Sequence, residues 1–284
     1  MVNVNYSLVG SNGDEIVFDE SNYILNPEFA GFGIPPAQVR IQPSAGDGGV
    51  FRHSKKAIRN VDLVVTILGA NRAEVQTKLR RLSRLVQDSK GPTRINANYS
   101  DGETLFLEGH YVGGAESVWG SEAGTIWNRW VISFQCPQPY WERDDEVSFI
   151  IGEEPTGRGL LPELTKLKVS SGQTLGEVTI NNVGDVPSYP KWIILGPITN
   201  LSVSNGTQTF TIPSEIEAGD SITVDAITAE VYNEAGDNLY SLLGPAPKLF
   251  QIPPGLSTIT VTGDDVSAST RVGFYYKPRF EVVH

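Results

Sequence analysis

The chain of 284 residues contains one cysteine, Cys136, so no disulfide can form within it and the fold does not depend on an oxidising compartment. We expect this cysteine to serve as a small buried hydrophobic side chain. No run of about 18 apolar residues occurs, and the first five residues lack the basic and apolar regions of a signal peptide. The sequence therefore predicts synthesis and folding in a cytosol, without membrane insertion.

Charge is also scarce and mostly of one sign. Charged residues make up 19% of the chain, and 33 acidic residues against 22 basic ones give a formal net charge of −11. A protein that grips duplex DNA through its phosphates needs a basic face, which this balance does not favour. The charge balance therefore argues strongly against a sequence-specific DNA-binding function.

Recognisable catalytic and metal-binding motifs are missing as well. The sequence has no phosphate-binding loop of the Gly-x-x-x-x-Gly-Lys type, and its histidines (His53, His110 and His284) lie far apart without metal-ligand spacing. Adjacent acidic residues, such as Asp264 and Asp265, occur in contexts typical of solvated turns and not as carboxylates facing each other across a cleft. We expect no enzyme activity, no cofactor and no metal site.

Turn-forming residues are plentiful, and one segment is clearly helical. The 29 glycines and 18 prolines indicate many strands and turns. Asn71 and Glu74 form a helix-capping pattern, an apolar stripe follows at helical spacing, and Gly91-Pro92 supplies a stop. These signals predict a helix over about 72–88. Its other face carries basic residues, including Arg80 and Arg84, and is either a solvated surface or a docking face for an acidic neighbour.

Nearly all other segments alternate between apolar and polar residues, as strands do. The predicted strands of the first half are 2–8, 15–18, 38–41, 60–68, 94–99, 104–111 and 126–134. We expect 60–68 to be central in a sheet, because it is apolar on both faces. The predicted strands of the second half are 177–180, 192–195, 207–212, 221–224, 230–232, 249–252, 258–261 and 272–276. In 207–212 the threonines line one face while Phe210 and Ile212 line the other, which is typical of an antiparallel β-sandwich.

A Gly/Pro/charge cluster that begins at Gly152 divides the chain. We predict a first β-domain at 1–151 that is barrel-like or sandwich-like and carries the helix, a linker at 152–163, and a β-sandwich at 164–284. Four of the five tryptophans lie close together in the first half and make either a heavy local core or a set of interface anchors: Trp119, Trp127, Trp130 and Trp141.

The order of these parts resembles the distal tail (Dit) proteins of long-tailed, siphovirus-type bacteriophages. The sharpest local likeness is the stretch FQCPQPYW at 134–141, which closes the first domain. Further matching stretches are NVGDVPSYP at 182–190, IPPGL at 252–256 and FYYKPRF at 274–280. Together they span nearly the whole chain, and their order in the sequence carries the resemblance.

This resemblance implies a structural virion protein, made in the cytoplasm of the bacterial host. Members of the family pair an N-terminal β-domain bearing a helix with a C-terminal galectin-like sandwich. Six copies form a ring at the distal end of the tail, which surrounds the DNA channel. The implied partners are further copies of the chain, the tail tube protein, the tail-tip or tail-associated lysin protein, and a receptor-binding protein or adhesion device. DNA is only passing cargo, which an acidic wall would not retain.

For the contact between copies we favour the first domain, with Trp119, Trp127, Trp130, Arg80 and Arg84 as candidate interface residues. The long Gly/Pro loops at 26–36 and 43–50 lie in the same domain and are placed to reach a neighbour. Two other functions remain open. The first is a carbohydrate-binding adhesin that stacks sugar rings on tyrosines of the second half, and the second is a β-rich hydrolase. The candidate tyrosines are Tyr189, Tyr232, Tyr240, Tyr275 and Tyr276.

Overall fold

The computed structural model describes residues 4–87, 91–116, 124–152 and 174–283. The chain forms two compact units by its internal contacts. The first unit runs to Asp144 and takes in the segment from Phe280 onward, and the second runs from Asp145 to Arg279. Within the described ranges there is one α-helix, Arg72–Leu85 (α1), and one short 3-10 helix, Tyr240–Leu242, and the other regular elements are β-strands. The prediction of a mainly β protein with one inserted helix is confirmed.

The first unit is built around one curved, nearly closed antiparallel sheet. Its strands, in chain order, are Val4–Val9 (β1), Glu15–Val17 (β2), Tyr23–Leu25 (β3), Ala37–Pro43 (β4), Gly49–Lys56 (β5), Arg59–Leu68 (β6), Thr93–Tyr99 (β7), Thr104–Gly114 (β8), Trp127–Cys136 (β9) and Trp141–Arg143 (β10). The main sheet has the order β2-β1-β7-β8-β9-β6-β3, and β10 pairs with β8. Among the strands of the described ranges, β4 and β5 pair only with each other.

The strand β6 lies inside this sheet, between β9 and β3, as predicted. The two faces of β6 differ, however. Val61, Leu63, Val65 and Ile67 are fully buried on one face, while Val64 is the only buried residue of the other. The expectation that both faces are apolar is therefore wrong. The strand alternates because its buried face packs on the core beneath α1.

The second unit is a two-sheet antiparallel sandwich. Its strands are Val147–Ile151 (β11), Thr174–Asn182 (β12), Lys191–Leu195 (β13), Thr199–Ser204 (β14), Thr209–Ile212 (β15), Ser221–Asp225 (β16), Glu230–Asn233 (β17), Gly255–Asp264 (β18) and Arg271–Tyr276 (β19), and a short strand Arg279–Phe280 (β20) follows at the unit boundary. One sheet has the order β11-β19-β13-β16-β17 and the other β12-β18-β14-β15.

One tryptophan sits in the core of this sandwich. Trp192 of β13 is fully buried, and its ring lies 4.5 Å from Phe274, 5.7 Å from Phe210 and 5.8 Å from Phe250, measured between ring centroids. Since Phe210 belongs to the opposite sheet, the tryptophan joins the two layers. The predicted β-sandwich is confirmed, and the galectin-like character of the sandwich stays a prediction.

Two further segments refine the sequence-based picture. β11 lies within the predicted first domain, yet it pairs with β19 of the second unit. The predicted linker 152–163 lies outside the described residues beyond Gly152. The predicted strand at 249–252 is wrong: Phe250 and Ile252 are buried in the core, but the segment forms only a single bridge, between Ile252 and Ser188.

Candidate subunit interfaces

The helix α1 begins and packs as its sequence predicts. The side chain of Asn71 accepts a hydrogen bond from the backbone N–H of Glu74 at 3.0 Å, and Glu74 in turn accepts from the N–H of Ala70 at 2.8 Å. The predicted stripe (Val75, Leu79, Leu82 and Val86) is buried, with Val86 as the C-cap. The helix ends at Leu85, three residues before the predicted end at 88, and residue 88 itself lies outside the described residues. This packing leaves Arg80 and Arg84 on the exposed side of the helix.

An open groove of about 740 Å³ runs between the exposed side of α1 and the strand β9. Its apolar lining consists of Leu79 and Trp130, which are each 8% exposed and belong to the core of the first unit. Its polar lining consists of Gln76, Thr77, Arg80, Ser83 and Arg84. The groove therefore combines an apolar floor with two cationic side chains and three uncharged polar ones.

The basic residues of the helix fall into two classes. Lys78 forms an ion pair with Glu74 at 2.7 Å and donates to the carbonyl of Leu68 at 2.8 Å. Arg81 forms an ion pair with Asp14 at 2.7 Å, and this hydrogen bond lowers the pKa of the Asp14 carboxyl. Both charges are thus neutralised within the first unit.

Arg80 and Arg84 differ from these paired residues. Arg84 donates from Nε to the carbonyl of Arg80 at 3.2 Å, which leaves its two terminal nitrogens without a hydrogen-bond partner in the described part of the chain. The guanidinium of Arg80 has no partner among the described residues either. Two cations four residues apart on a helix repel each other. Arg84 is partly compensated by its attraction to Asp14, which also pairs with Arg81, so Arg80 is the cation of the groove without an acidic partner in the described part of the chain.

The structure brings together three of the five predicted interface residues. Arg80, Arg84 and Trp130 line the same groove. Trp127 is partly exposed and lies on the opposite face of β9, because positions three apart on a strand point to opposite sides. Trp119 lies outside the described residues. The tryptophans at 127 and 130 therefore belong to different surfaces, although they are neighbours in sequence.

The strands β4 and β5 form a hairpin that sequence analysis did not single out, beyond a strand at 38–41 and a loop at 43–50. Only one of its strand residues, Lys56, is even partly buried. Val39, Ile41 and Phe51 share one face of it and are 55%, 59% and 61% exposed. A two-stranded hairpin without a covered face is marginal in water, and a contiguous apolar patch marks an interaction surface. This hairpin is the second candidate interface.

A buried arginine fixes the base of the hairpin. Arg59 is 1% exposed, and its guanidinium donates to four backbone carbonyls: those of Gly31 and Gly33 at 2.7 Å, Pro139 at 2.6 Å and Glu281 at 2.7 Å. Burial lowers the pKa of Arg59 to about 10. Pro139 belongs to the FQCPQPYW stretch, so this stretch contributes an acceptor to the arginine as well as the buried Trp141. No periodic pattern reveals this role, because all four acceptors are backbone atoms outside regular strands.

The second unit places two of the candidate sugar-stacking tyrosines on one sheet face. Tyr232 and Tyr275 lie near the ion pair of Lys191 and Asp225, whose Nζ and Oδ2 are 3.0 Å apart. Tyr276 is buried and unavailable for stacking on a ligand. The Asp225 carboxylate is already occupied by Lys191 and by two backbone N–H groups, so this face offers little unused hydrogen-bonding capacity at that residue.

The described residues offer little that could support redox or metal chemistry. Cys136 is fully buried as predicted, and burial raises the pKa of its thiol to about 12, which keeps it protonated and unreactive. Across the described ranges, no group of three or more His, Cys, Asp or Glu side chains is arranged to hold a metal ion. No helix in the part that the structure describes is long and apolar enough to cross a membrane.

Solved structures of phage hub and baseplate proteins share this fold. SPP1 Dit, a hub protein of the adsorption apparatus in phages that infect Gram-positive bacteria, aligns with a TM-score of 0.66 and 12% identity over 97% of this chain and 99% of its own. A chain of the phage P2 baseplate in its activated conformation with Ca aligns with a TM-score of 0.52 and 10% identity, over 99% and 100% of the two chains. The p2 baseplate with Sr gives 0.51 and 12%, over 99% and 100%.

The sequence matches no protein-family model and no curated protein. The likeness to the solved structures is therefore one of fold, and it extends over nearly the whole chain. The prediction of a Dit-like fold is confirmed.

Proposed function

We propose that this chain is a structural protein of a phage tail, which assembles as a six-copy ring at the distal end of the tail. In this role the ring joins the tail tube protein to the tail-tip or tail-associated lysin protein and to the receptor-binding or adhesion device. The observation that carries the proposal is the fold shared with SPP1 Dit over 97% of this chain and 99% of that one, because the likeness includes both units. The role is non-enzymatic and places the protein in the virion.

The exposed hairpin of β4 and β5 supports self-assembly through the first unit. In a ring each contact is heterologous, so every copy offers one surface and accepts a different surface of its neighbour. The hairpin is suited to be the offered surface, because Val39, Ile41 and Phe51 leave an apolar face in water in the single chain. Arg59 gives the hairpin a rigid base, which favours a defined contact over a loose one.

The charge of the chain is compatible with a ring around a DNA channel. A net charge of −11 makes the assembled ring strongly acidic. An acidic wall repels the DNA backbone and so allows DNA to pass without being retained. We propose that DNA is cargo of the channel and forms no specific complex with the protein.

Light scattering behind size exclusion, over a range of protein concentrations, tests the assembly. Six copies of 30.9 kDa give a particle of about 185 kDa. A mass of this size is the expected result, and a monomer at every concentration would contradict self-assembly into a ring.

A variant of the hairpin tests which surface is used. Replacing Ile41 and Phe51 with serine removes apolar contact without disturbing the core, because both side chains are more than half exposed. We expect the double variant to stay folded and to lose the ring. Leu256→Ser is the matched control, since Leu256 is 77% exposed on the second unit. Equal loss of assembly in the control would indicate nonspecific hydrophobic association instead.

A further inference from the structure

The groove between α1 and β9 is a second candidate surface for contact between copies of the chain. We infer that it receives an acidic segment from a second copy of this chain, an assignment that rests on the proposed ring. The groove is distinct from the hairpin: its cationic residues are Arg80 and Arg84, and its floor is Leu79 and Trp130. In a heterologous ring each contact joins two different surfaces, so a basic groove on one copy requires an acidic counterpart elsewhere on the next copy.

The charge of the occupant follows from which cations remain unpaired. Lys78 and Arg81 are neutralised by Glu74 and Asp14 within the first unit. Arg84 forms no ion pair within the described residues and is attracted only at longer range to Asp14, which Arg81 already holds. Arg80 has no acidic partner among the described residues. Arg84 has a favourable position in the last turn of the helix, where a cation complements the helix dipole. Arg80 has no comparable role in the single chain, so a carboxylate from outside is the group that would satisfy it.

The rest of the lining suits a peptide segment. Trp130 and Leu79 offer a partly shielded apolar floor, on which an apolar side chain of the occupant can pack. Gln76, Thr77 and Ser83 can donate to or accept from the backbone of that segment. A tryptophan beside arginines is also the composition that concentrates binding energy at protein interfaces.

The hairpin of a neighbouring copy does not fit this groove. Its residues include Arg40, Arg52, Lys55 and Lys56 against a single acid, Asp47, so it carries the same sign as the groove. The chain as a whole is acidic, with a pI near 4.8, so other surfaces of a second copy are complementary to the groove. Each copy therefore uses two separate contacts, one apolar at the hairpin and one electrostatic at the groove.

Charge reversal at Arg80 tests the assignment without endangering the fold. Arginine and glutamate are both good helix formers, and an acid at position 80 would lie four residues before Arg84, where it forms a favourable pair. Arg80→Glu should therefore leave the single chain as stable as the wild type. Lys248→Glu is the matched control, because Lys248 is exposed on the second unit and its reversal changes the net charge by the same amount.

The measurement is the self-association constant by sedimentation velocity, for wild type and both variants, at low and high salt, with circular dichroism as the check on folding. We expect Arg80→Glu to weaken association about tenfold or more at low salt and by less at high salt, because salt screens the contact that the wild type makes. Arg80→Gln should show a smaller loss in the same direction. Lys248→Glu should associate like the wild type.

Three results would overturn the inference. If Arg80→Glu assembles like the wild type, the groove is not occupied by a second copy, while the ring itself stands. If Lys248→Glu weakens assembly as much as Arg80→Glu does, the effect is general repulsion between acidic chains. If the wild type remains a monomer under all conditions, the proposed ring fails, and the groove assignment fails with it.

Discussion

The guanidinium of Arg59 donates to the backbone carbonyl of Glu281 over 2.7 Å and so joins two residues that are 222 positions apart. The side chain of Glu281 forms an ion pair with Lys56 at 3.0 Å, at the end of β5. Glu281 is thus bound at the base of the exposed hairpin by two interactions, one through its backbone carbonyl and one through its side chain. The orientation of the hairpin therefore depends on the segment that returns to the first unit after the second unit is complete.

Arg59→Ala should lower the free energy of unfolding by about 3 kcal/mol or more, because a buried side chain and its four hydrogen bonds to backbone carbonyls are lost together. Denaturant unfolding followed by tryptophan fluorescence measures the change. Arg40→Ala is the matched control, since Arg40 is exposed on the hairpin, and it should change stability by no more than about 0.5 kcal/mol. Equal losses in the two variants would show that the Arg59 network does not hold the fold.

The sequence predicts α1 and the second-unit sandwich well, because local signals and global packing agree there. The Asn71 cap and the buried stripe that includes Leu79 and Leu82 lie where the pattern places them. The strand predicted at 207–212 is present as β15, which begins at Thr209. The segment 249–252 shows the limit of this reasoning. It alternates as a strand does, but Pro253 and Pro254 follow it and offer no backbone N–H groups for a ladder, so its apolar side chains reach the core from a loop.

The candidate interfaces were only partly predictable. Arg80 and Arg84 stand out as basic residues on the polar side of a helix, and the structure adds which neighbouring cations are already paired. The closeness of Trp127 and Trp130 in sequence does not place them on one surface, because side chains three positions apart on a strand point to opposite faces. Counting positions along the predicted strand separates the two tryptophans. The detachment of the hairpin from the main sheet depends on long-range pairing and leaves no local signal.

Substitution of the two tryptophans of β9 should therefore have different effects. Trp130→Ala should cost about 3–5 kcal/mol, because Trp130 is 8% exposed in the core beneath the helix. Trp127→Ala should cost about 1–2 kcal/mol, since its side chain lies partly exposed on the outer face. Thermal unfolding of both variants checks the difference. If Trp130→Ala melts with the wild type, Trp130 is a surface anchor and not a core residue.

The N-cap residue of α1, Asn71, can be tested with two substitutions at the same position, alanine and glycine. Asn71→Ala removes the side-chain oxygen that accepts from the N–H of Glu74 and should cost about 1 kcal/mol. Asn71→Gly should cost only a few tenths of a kcal/mol, because glycine leaves that end of the helix open to water. Denaturant midpoints of the two variants make the comparison. An alanine variant as stable as the wild type would mean that packing alone fixes the start of α1.

Asp225 makes the stability of the second unit depend on acid pH. Burial acts to raise the pKa of its carboxyl, but hydrogen bonds from Lys191 and from the N–H groups of Ile227 and Thr228 outweigh burial and lower it. The folded pKa therefore lies below the unfolded value of about 3.9. The stabilisation is fully present above that unfolded value and is lost as the pH falls through the folded pKa.

Asp225→Asn keeps the shape of the side chain and one acceptor for the turn, but it removes the charge that pairs with Lys191. At neutral pH we expect the variant to be less stable by about 1–3 kcal/mol. Below about pH 4 the difference should shrink, because the wild-type carboxylate becomes protonated while the amide does not titrate. Denaturant unfolding of both proteins at neutral pH and near pH 3 measures this difference in the free energy of unfolding. The stability that other acidic groups lose at low pH is the same in both proteins and cancels. A difference that stays constant across this range would contradict the role of the Asp225 charge.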